Sequence, residues 1–188
     1  MHTYIYPTII SQLQFAGVHH RTVKNNPNGT FSIDELRSKI RHGAHEDPHY
    51  PITSLVCIEN SHNNCGGRAV PLDWIEKLAQ TCKEFNLPIH CDGARLFNTA
   101  VALNVPASKL VEHCDSVSVC LSKGLGCPIG SVIVGRKEFI GRATRMRKAI
   151  GGGMRQVGII AAAGLYAIEN NIKRLDEDHV NALKVAEG

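Results

Sequence analysis

Apolar and polar positions change their spacing several times along the chain, and each change marks an element. Ser54-Leu55-Val56-Cys57-Ile58 is a short apolar run, the pattern of a buried strand. Between Pro71 and Phe85 the apolar residues fall at Leu72, Ile75, Leu78, Ala79, Cys82 and Phe85, a helical spacing with proline at its start. Leu87-Pro88-Ile89-His90-Cys91 reads as a second strand, Ser108 to Cys114 as a short helix, Ser116 to Leu121 as a third strand and Ser131 to Val134 as a fourth. Upstream, Ser32 is placed to cap a helix, with Glu35 three residues on as in a capping box. Downstream, residues 137–149 predict a basic amphipathic helix with Ile140, Ala143 and Met146 inward, and 156–170 an alanine-rich helix. A charged, helix-prone stretch runs on from Ile172.

Strands separated by helices predict an α/β fold: a mostly parallel sheet with flanking helices, covered on both faces. In such sheets ligands sit beyond the carboxyl ends of the strands. The chemistry is therefore sought there.

Composition narrows the possibilities. The chain has 188 residues, 43% hydrophobic and 20% charged, enough for one domain or one and a fraction. Its formal charge of +4 is too mild to call for nucleic acid, and no apolar run is long enough to cross a bilayer, so neither nucleic acid nor membrane is expected as a partner. A small anionic ligand suits that charge. Met1 to Pro7 lacks the basic start and apolar stretch of a signal peptide, and the seven cysteines form no CxxC pair. Cys57, Cys91 and Cys120 fall in apolar runs and read as reduced core thiols, which places the protein in the cytoplasm. His42, His45 and His49 share a polar segment with Pro48; a solvated loop explains them better than a metal site, and no metal is expected.

Three clusters fall at strand ends: Glu59-Asn60-Ser61-His62-Asn63, Asp92-Gly93-Ala94-Arg95 and Ser122-Lys123-Gly124-Leu125-Gly126. Lysine forms Schiff bases with carbonyl cofactors. A neighbouring aspartate can keep a pyridinium nitrogen protonated, and a histidine can stack on a ring or move a proton. The trio suits pyridoxal phosphate, although Lys and Asp at strand ends are as often plain surface residues. Gly124, Gly126 and Gly130 loosely match a dinucleotide fingerprint, but that motif needs a helix directly after it, and here Pro128 and a strand follow.

At this point the chain resembles a known family. His90-Cys91-Asp92-Gly93-Ala94-Arg95-Leu96-Phe97-Asn98, Cys120 to Ser131 and Arg147 to Gln156 are similar to boxes of the low-specificity L-threonine aldolases, as are Glu59 to Asn63 and His2 to Tyr6. The resemblance runs over essentially the whole chain. It implies a fold type I, aspartate-aminotransferase-like large domain over residues 1–170, with 171–188 as the helical start of a connection to a small C-terminal domain. It implies pyridoxal 5'-phosphate as cofactor, held by Lys123, Asp92, Arg95 and His2, the last stacking on the ring. It also implies His62 near the substrate hydroxyl, and Arg95, Lys148 and Arg155 toward the substrate. The activity implied is cleavage of threonine or allo-threonine to glycine and acetaldehyde, by a homo-oligomer whose sites form between subunits.

The same resemblance shows departures. Family members carry a phosphate-cradling turn before the stacking histidine and a small domain with a carboxylate-binding arginine after the point where this sequence stops. Pro7-Thr8-Ile9-Ile10 stands where an acidic residue and a glycine pair are usual, and Met146 where tryptophan is common. On these grounds weak or absent cleavage by the chain alone is expected. A non-catalytic remnant that pairs with a full-length relative, and a pyridoxal-phosphate lyase for another substrate, stand as alternatives.

Overall fold

The computed structural model describes residues 16–42 and 48–188. His2 and His45 lie outside them. Helix α1 spans Ile33–Lys39 and is capped by Ser32, whose Oγ accepts the amide of Glu35 at 3.2 Å. Glu35 does not complete the reciprocal half of the box; its carboxylate takes the amide of Lys24 and pairs with Lys39.

The sheet is built from β1 (Val56–Glu59), β2 (Ile89–Asp92), β3 (Ser116–Cys120) and β4 (Ser131–Gly135), in that spatial order. β1, β2 and β3 are parallel, whereas β4 returns antiparallel against β3. A ten-residue connection allows this return, while a parallel crossover would need more chain. The first two strands begin later and end later than the apolar runs suggested. Glu59 and Asp92 are thus the last strand residues rather than the first loop residues, because their backbones complete the ladder in register with each other.

Helix α2 (Leu72–Glu84) turns Trp74, Ile75, Leu78 and Cys82 onto the sheet, and the Trp74 indole donates to the Phe31 carbonyl at 3.0 Å. Leu96–Leu103 forms α3, a helix beyond those the apolar spacing predicts, ended by Asn104 in the left-handed region. The short helix α4 covers only Ala107–Leu110, and a turn from Val111 to Cys114 replaces its expected second half.

Side chains alternate across a strand, and register partners share a face. Val56, Ile58, Ile89, Cys91 and Val117 therefore form one face, buried in the main core with α2, α3 and Leu110. The other face carries Cys57, Glu59, His90, Asp92, Ser116, Ser118 and Cys120. Ser116 is buried, Cys57 is exposed and the rest are half-buried. Among the described residues the second face is polar and mostly half-buried rather than apolar core, which corrects the placing of Cys57 and Cys120 in the core. The alternation that buries Cys91 turns those two thiols the opposite way.

Beyond the sheet lie α5 (Lys137–Ala149), α6 (Gly158–Asn170), a 3-10 turn (Ile172–Arg174) and α7 (Leu175–Glu187). No residue of α5 is buried: Ile140 and Ala143 are half-covered, and Met146, expected inward, is 60% exposed. A second, small core joins Leu121, Leu125 and Cys127 to Ala167 of α6, with Phe97 and Ile172 at its edge.

Candidate functional site

Parallel strands deliver their carboxyl ends to one side, so the three clusters leave the sheet together. Asp92 ends β2, and Lys123 lies three residues beyond the end of the adjacent β3. The carboxylate of Asp92 accepts the amide of Ala94 at 3.1 Å, which folds the Asp92-Gly93-Ala94 turn back on itself. The amide of Gly93 donates to the Ser118 carbonyl at 2.8 Å and ties this turn to β3. Asp92 joins no ion pair among the described residues. Lys123 is exposed, on a turn closed by the amide of Gly126 donating to the Lys123 carbonyl at 2.8 Å.

Between the two boxes runs a shallow open depression lined by Ala94, Arg95, Asn98, Cys120, Gly124 and Leu125, among others. Asp92 and Lys123 are not part of its wall. Arg95 spans toward the first cluster, its Nη1 donating to Asn63 Oδ1 at 2.9 Å.

His62 sits differently. It is 6% exposed and lies under the turn over residues 25–31, where a Cβ on Gly29 would come within 2.9 Å of its own. Asn25 Nδ2 lies 2.8 Å from its Nε2. On the other side of the ring, Nδ1 lies 3.7 Å from Glu59 Oε2. Lys148 and Arg155 are exposed, and no hydrogen bond or ion pair joins either to Asp92, Arg95 or Lys123 among the described residues. Asp92 and Arg95 at and just beyond the end of β2, Lys123 after β3 and His62 after β1 thus leave the sheet on one side, His62 beneath its own cover, while Lys148 stands near the end of α5 and Arg155 in the segment after it.

On the same face as Asp92, His90 places Nδ1 2.8 Å from Ser116 Oγ. Burial holds its pKa below the ordinary histidine value, against the opposing charge of Asp92 and the bond to Ser116. Sequence reading missed Asn25, Asn98 and Asn171. Asparagine near a turn or helix end signals backbone capping, and nothing local reports a distant partner.

Of the three histidines of the polar loop, His42 and His49 are among the described residues. His42 packs edge-on against Phe85, with centroids 5.9 Å apart, and His49 lies in an exposed turn. A strand, β4, follows the glycines of the Lys123 loop, where a dinucleotide site would need a helix.

Comparison with known proteins shows the family and the fold. The sequence model of the beta-eliminating lyase family matches residues 2–188. Low-specificity L-threonine aldolase 1 of Arabidopsis thaliana is 48% identical over 176 residues, covering 92% of this chain and 48% of the relative. Low specificity L-threonine aldolase of Escherichia coli is 46% identical, over 85% of this chain and 46% of the relative. The chain therefore spans about half the length of these relatives. The threonine aldolase of Leishmania major superposes with a TM-score of 0.68 at 18% identity, over 88% of this chain and 48% of that one, a likeness of fold.

Proposed function

The chain belongs to the beta-eliminating lyase family, and from that premise we propose that it carries the pyridoxal 5'-phosphate site of an enzyme cleaving L-threonine or L-allo-threonine to glycine and acetaldehyde. The observation that carries this reading is the juxtaposition of Lys123 and Asp92 at the carboxyl ends of adjacent parallel strands. The donor set suits the cofactor. Lys123 offers an exposed primary amine able to bind an aldehyde carbon, and Asp92 a carboxylate on a polar, half-covered sheet face. When bound, pyridoxal phosphate supplies the electron sink for the charge left as the Cα–Cβ bond breaks.

The chain's own groups orient and move protons. Asp92 holds the proton of a ring nitrogen. Arg95, tethered by Asn63, presents a guanidinium for a carboxylate or phosphate. His62 acts near the substrate hydroxyl; to take a proton through Nε2 it must first exchange the hydrogen bond with Asn25. His2 belongs to the same reading as the residue stacking on the ring, with Lys148 and Arg155 on the substrate side at a junction between subunits of a homo-oligomer. Residues 1–170 form part of the cofactor-binding domain, and 171–188 open the connection to the next. All seven cysteines are free, which fits a cytoplasmic protein.

The test is absorbance of the purified chain with added pyridoxal phosphate, followed by acetaldehyde release from threonine, with Lys123→Ala as the blank. A visible-edge band lost in Lys123→Ala supports the site, and its persistence in that variant refutes it. A second reading draws on the surface. Ile159 and Val185, each 83% exposed, would suit a chain that turns nothing over by itself and pairs with a longer relative. Acetaldehyde release only after mixing with such a relative distinguishes the two.

A further inference from the structure

The turn that carries Lys123 is held from outside, by side chains far from it in sequence. Asn171 Nδ2 donates to the carbonyl oxygen of Leu125 at 2.7 Å, across 46 residues. The same Nδ2 lies 3.5 Å from where a Cβ on Gly126 would stand. A Cβ on Gly124 would meet Asn98 Oδ1 at 2.5 Å and Leu175 Cδ2 at 3.2 Å. Cys127 Sγ approaches the Ala163 carbonyl at 3.5 Å. Leu121, Leu125 and Cys127 are buried against Ala167, so the base of the turn is packed while Lys123 stands out from it.

Asn171 lies where α6 meets the 3-10 turn, a position at which an asparagine side chain ordinarily serves its own helix. Here the backbone of Asn171 does the capping, its N–H donating to the Ala167 carbonyl and its carbonyl accepting from Arg174, while its side chain makes no cap bond to the 3-10 turn. The side-chain amide goes instead to the carbonyl two residues after Lys123. That carbonyl lies between Gly124 and Gly126, and Gly126 has φ +73, so the local backbone has little stiffness of its own. A bond from a packed helix end supplies what the glycines lack.

We infer that Asn171 is a positioning residue for Lys123: by fixing the Leu125 carbonyl it sets the direction in which the lysine amine leaves the strand end. The inference rests on the reading of Lys123 as the cofactor-binding residue and adds to it a residue on a different element.

The test uses the full chain with Asn171→Asp, which keeps size but replaces the donor with a carboxylate facing the Leu125 oxygen. Asn170→Asp is the control, because the amide of Asn170 donates at 2.9 Å to Tyr166 within its own helix. Circular dichroism confirms that both variants fold. Hydrogen exchange then follows the amides of Gly126 and Cys127, which are bonded to the carbonyls of Lys123 and Leu121. Loss of one hydrogen bond predicts exchange about fivefold faster there in Asn171→Asp, with Asn170→Asp unchanged. In parallel, borohydride fixation of pyridoxal phosphate onto the Lys123 peptide should slow by a similar factor in Asn171→Asp alone. Equal loop exchange in the two variants, or faster exchange throughout the chain, overturns the inference. So does unchanged labelling of Lys123 despite a loosened turn. Absence of labelling at Lys123 in the unaltered chain overturns the cofactor reading, and the exchange result then still decides whether Asn171 holds the turn.

Discussion

At the scale of single residues, close approach is what constrains the site. Gly93 separates Asp92 from Ala94 and lies against β3. A Cβ there would meet the Ser118 carbonyl oxygen at 3.0 Å, Leu96 Cβ at 3.1 Å and Val117 Cγ1 at 3.3 Å. Backbone cannot swing aside as a side chain can. Gly93→Ala is therefore expected to cost ~1–3 kcal/mol, read as a lower midpoint of urea unfolding, and to weaken cofactor binding by moving Asp92. His90 makes the second prediction. Its folded pKa lies below the ordinary value because burial disfavours the imidazolium, while Asp92 and Ser116 act the other way and limit the shift. The unfolded chain therefore binds this proton at higher pH than the folded one. The stability that neutral His90 contributes is fully present above about pH 6.5, the ordinary histidine value, and is lost as pH falls through its lowered pKa. His90→Gln removes that titration, so its melting temperature should fall less steeply than that of the unaltered chain as pH drops below about 6.5. Equal slopes would show that His90 is not what titrates. Cys82 illustrates the same physics in a thiol: burial, the largest cause, raises it to about 11, with the charges of Asp115 and Cys114 adding to the effect.

At the scale of elements, local patterns were enough where one residue both begins an element and satisfies it. Ser32 accepts the amide of Glu35 and starts α1, which sets Leu36 into the core beside α2. Ser32→Ala is expected to cost ~1 kcal/mol in thermal or urea unfolding. A change within error would mean the first turn is held by tertiary contacts rather than by its cap. β4 shows the limit of local reading. Its apolar run predicts a strand, yet Val132, Ile133 and Val134 are exposed at the sheet edge, and the strand runs against its neighbour. Periodicity states that a segment is extended; the length of its connection decides which way it can return. α5 is the converse case. Its amphipathic pattern is real, but no described element packs over its apolar positions closely enough to bury one.

At the scale of the whole molecule, two surfaces are incompletely covered among the described residues. One is the polar, half-buried sheet face around Asp92. The other comprises apolar side chains of α6 and α7, including Ile159, Leu165, Tyr166 and Leu183. Among the described residues no helix is long and apolar enough to cross a membrane. Exposed apolar groups of this number favour association between protein surfaces. The chain is expected to form oligomers in light scattering, and Leu165→Glu, at a position 62% exposed, to shift the population toward smaller species. Stability should change by no more than about 0.5 kcal/mol, since the site is on the surface. A clean monomer of the unaltered chain at normal solubility would contradict the expectation.

The sequence by itself determined the alternation of strands and helices, the start of α1, the extent of α5, and the grouping of Asp92, Arg95 and Lys123 at strand ends. These follow from spacing within a few residues, where apolar periodicity and capping chemistry act. Tertiary structure alone decided that β4 turns back, that one sheet face joins the apolar core while the other is polar and half-buried, and that 96–103 closes into a helix against the core. It also decided that His62 hydrogen-bonds with Asn25 across 37 residues and that Asn171 holds the lysine turn across 46. A pattern of polar and apolar positions records which groups need a partner. Which partner each one finds depends on the packing of distant segments, and an asparagine carries the same local signature whether its amide closes its own helix or reaches the carbonyl of another loop.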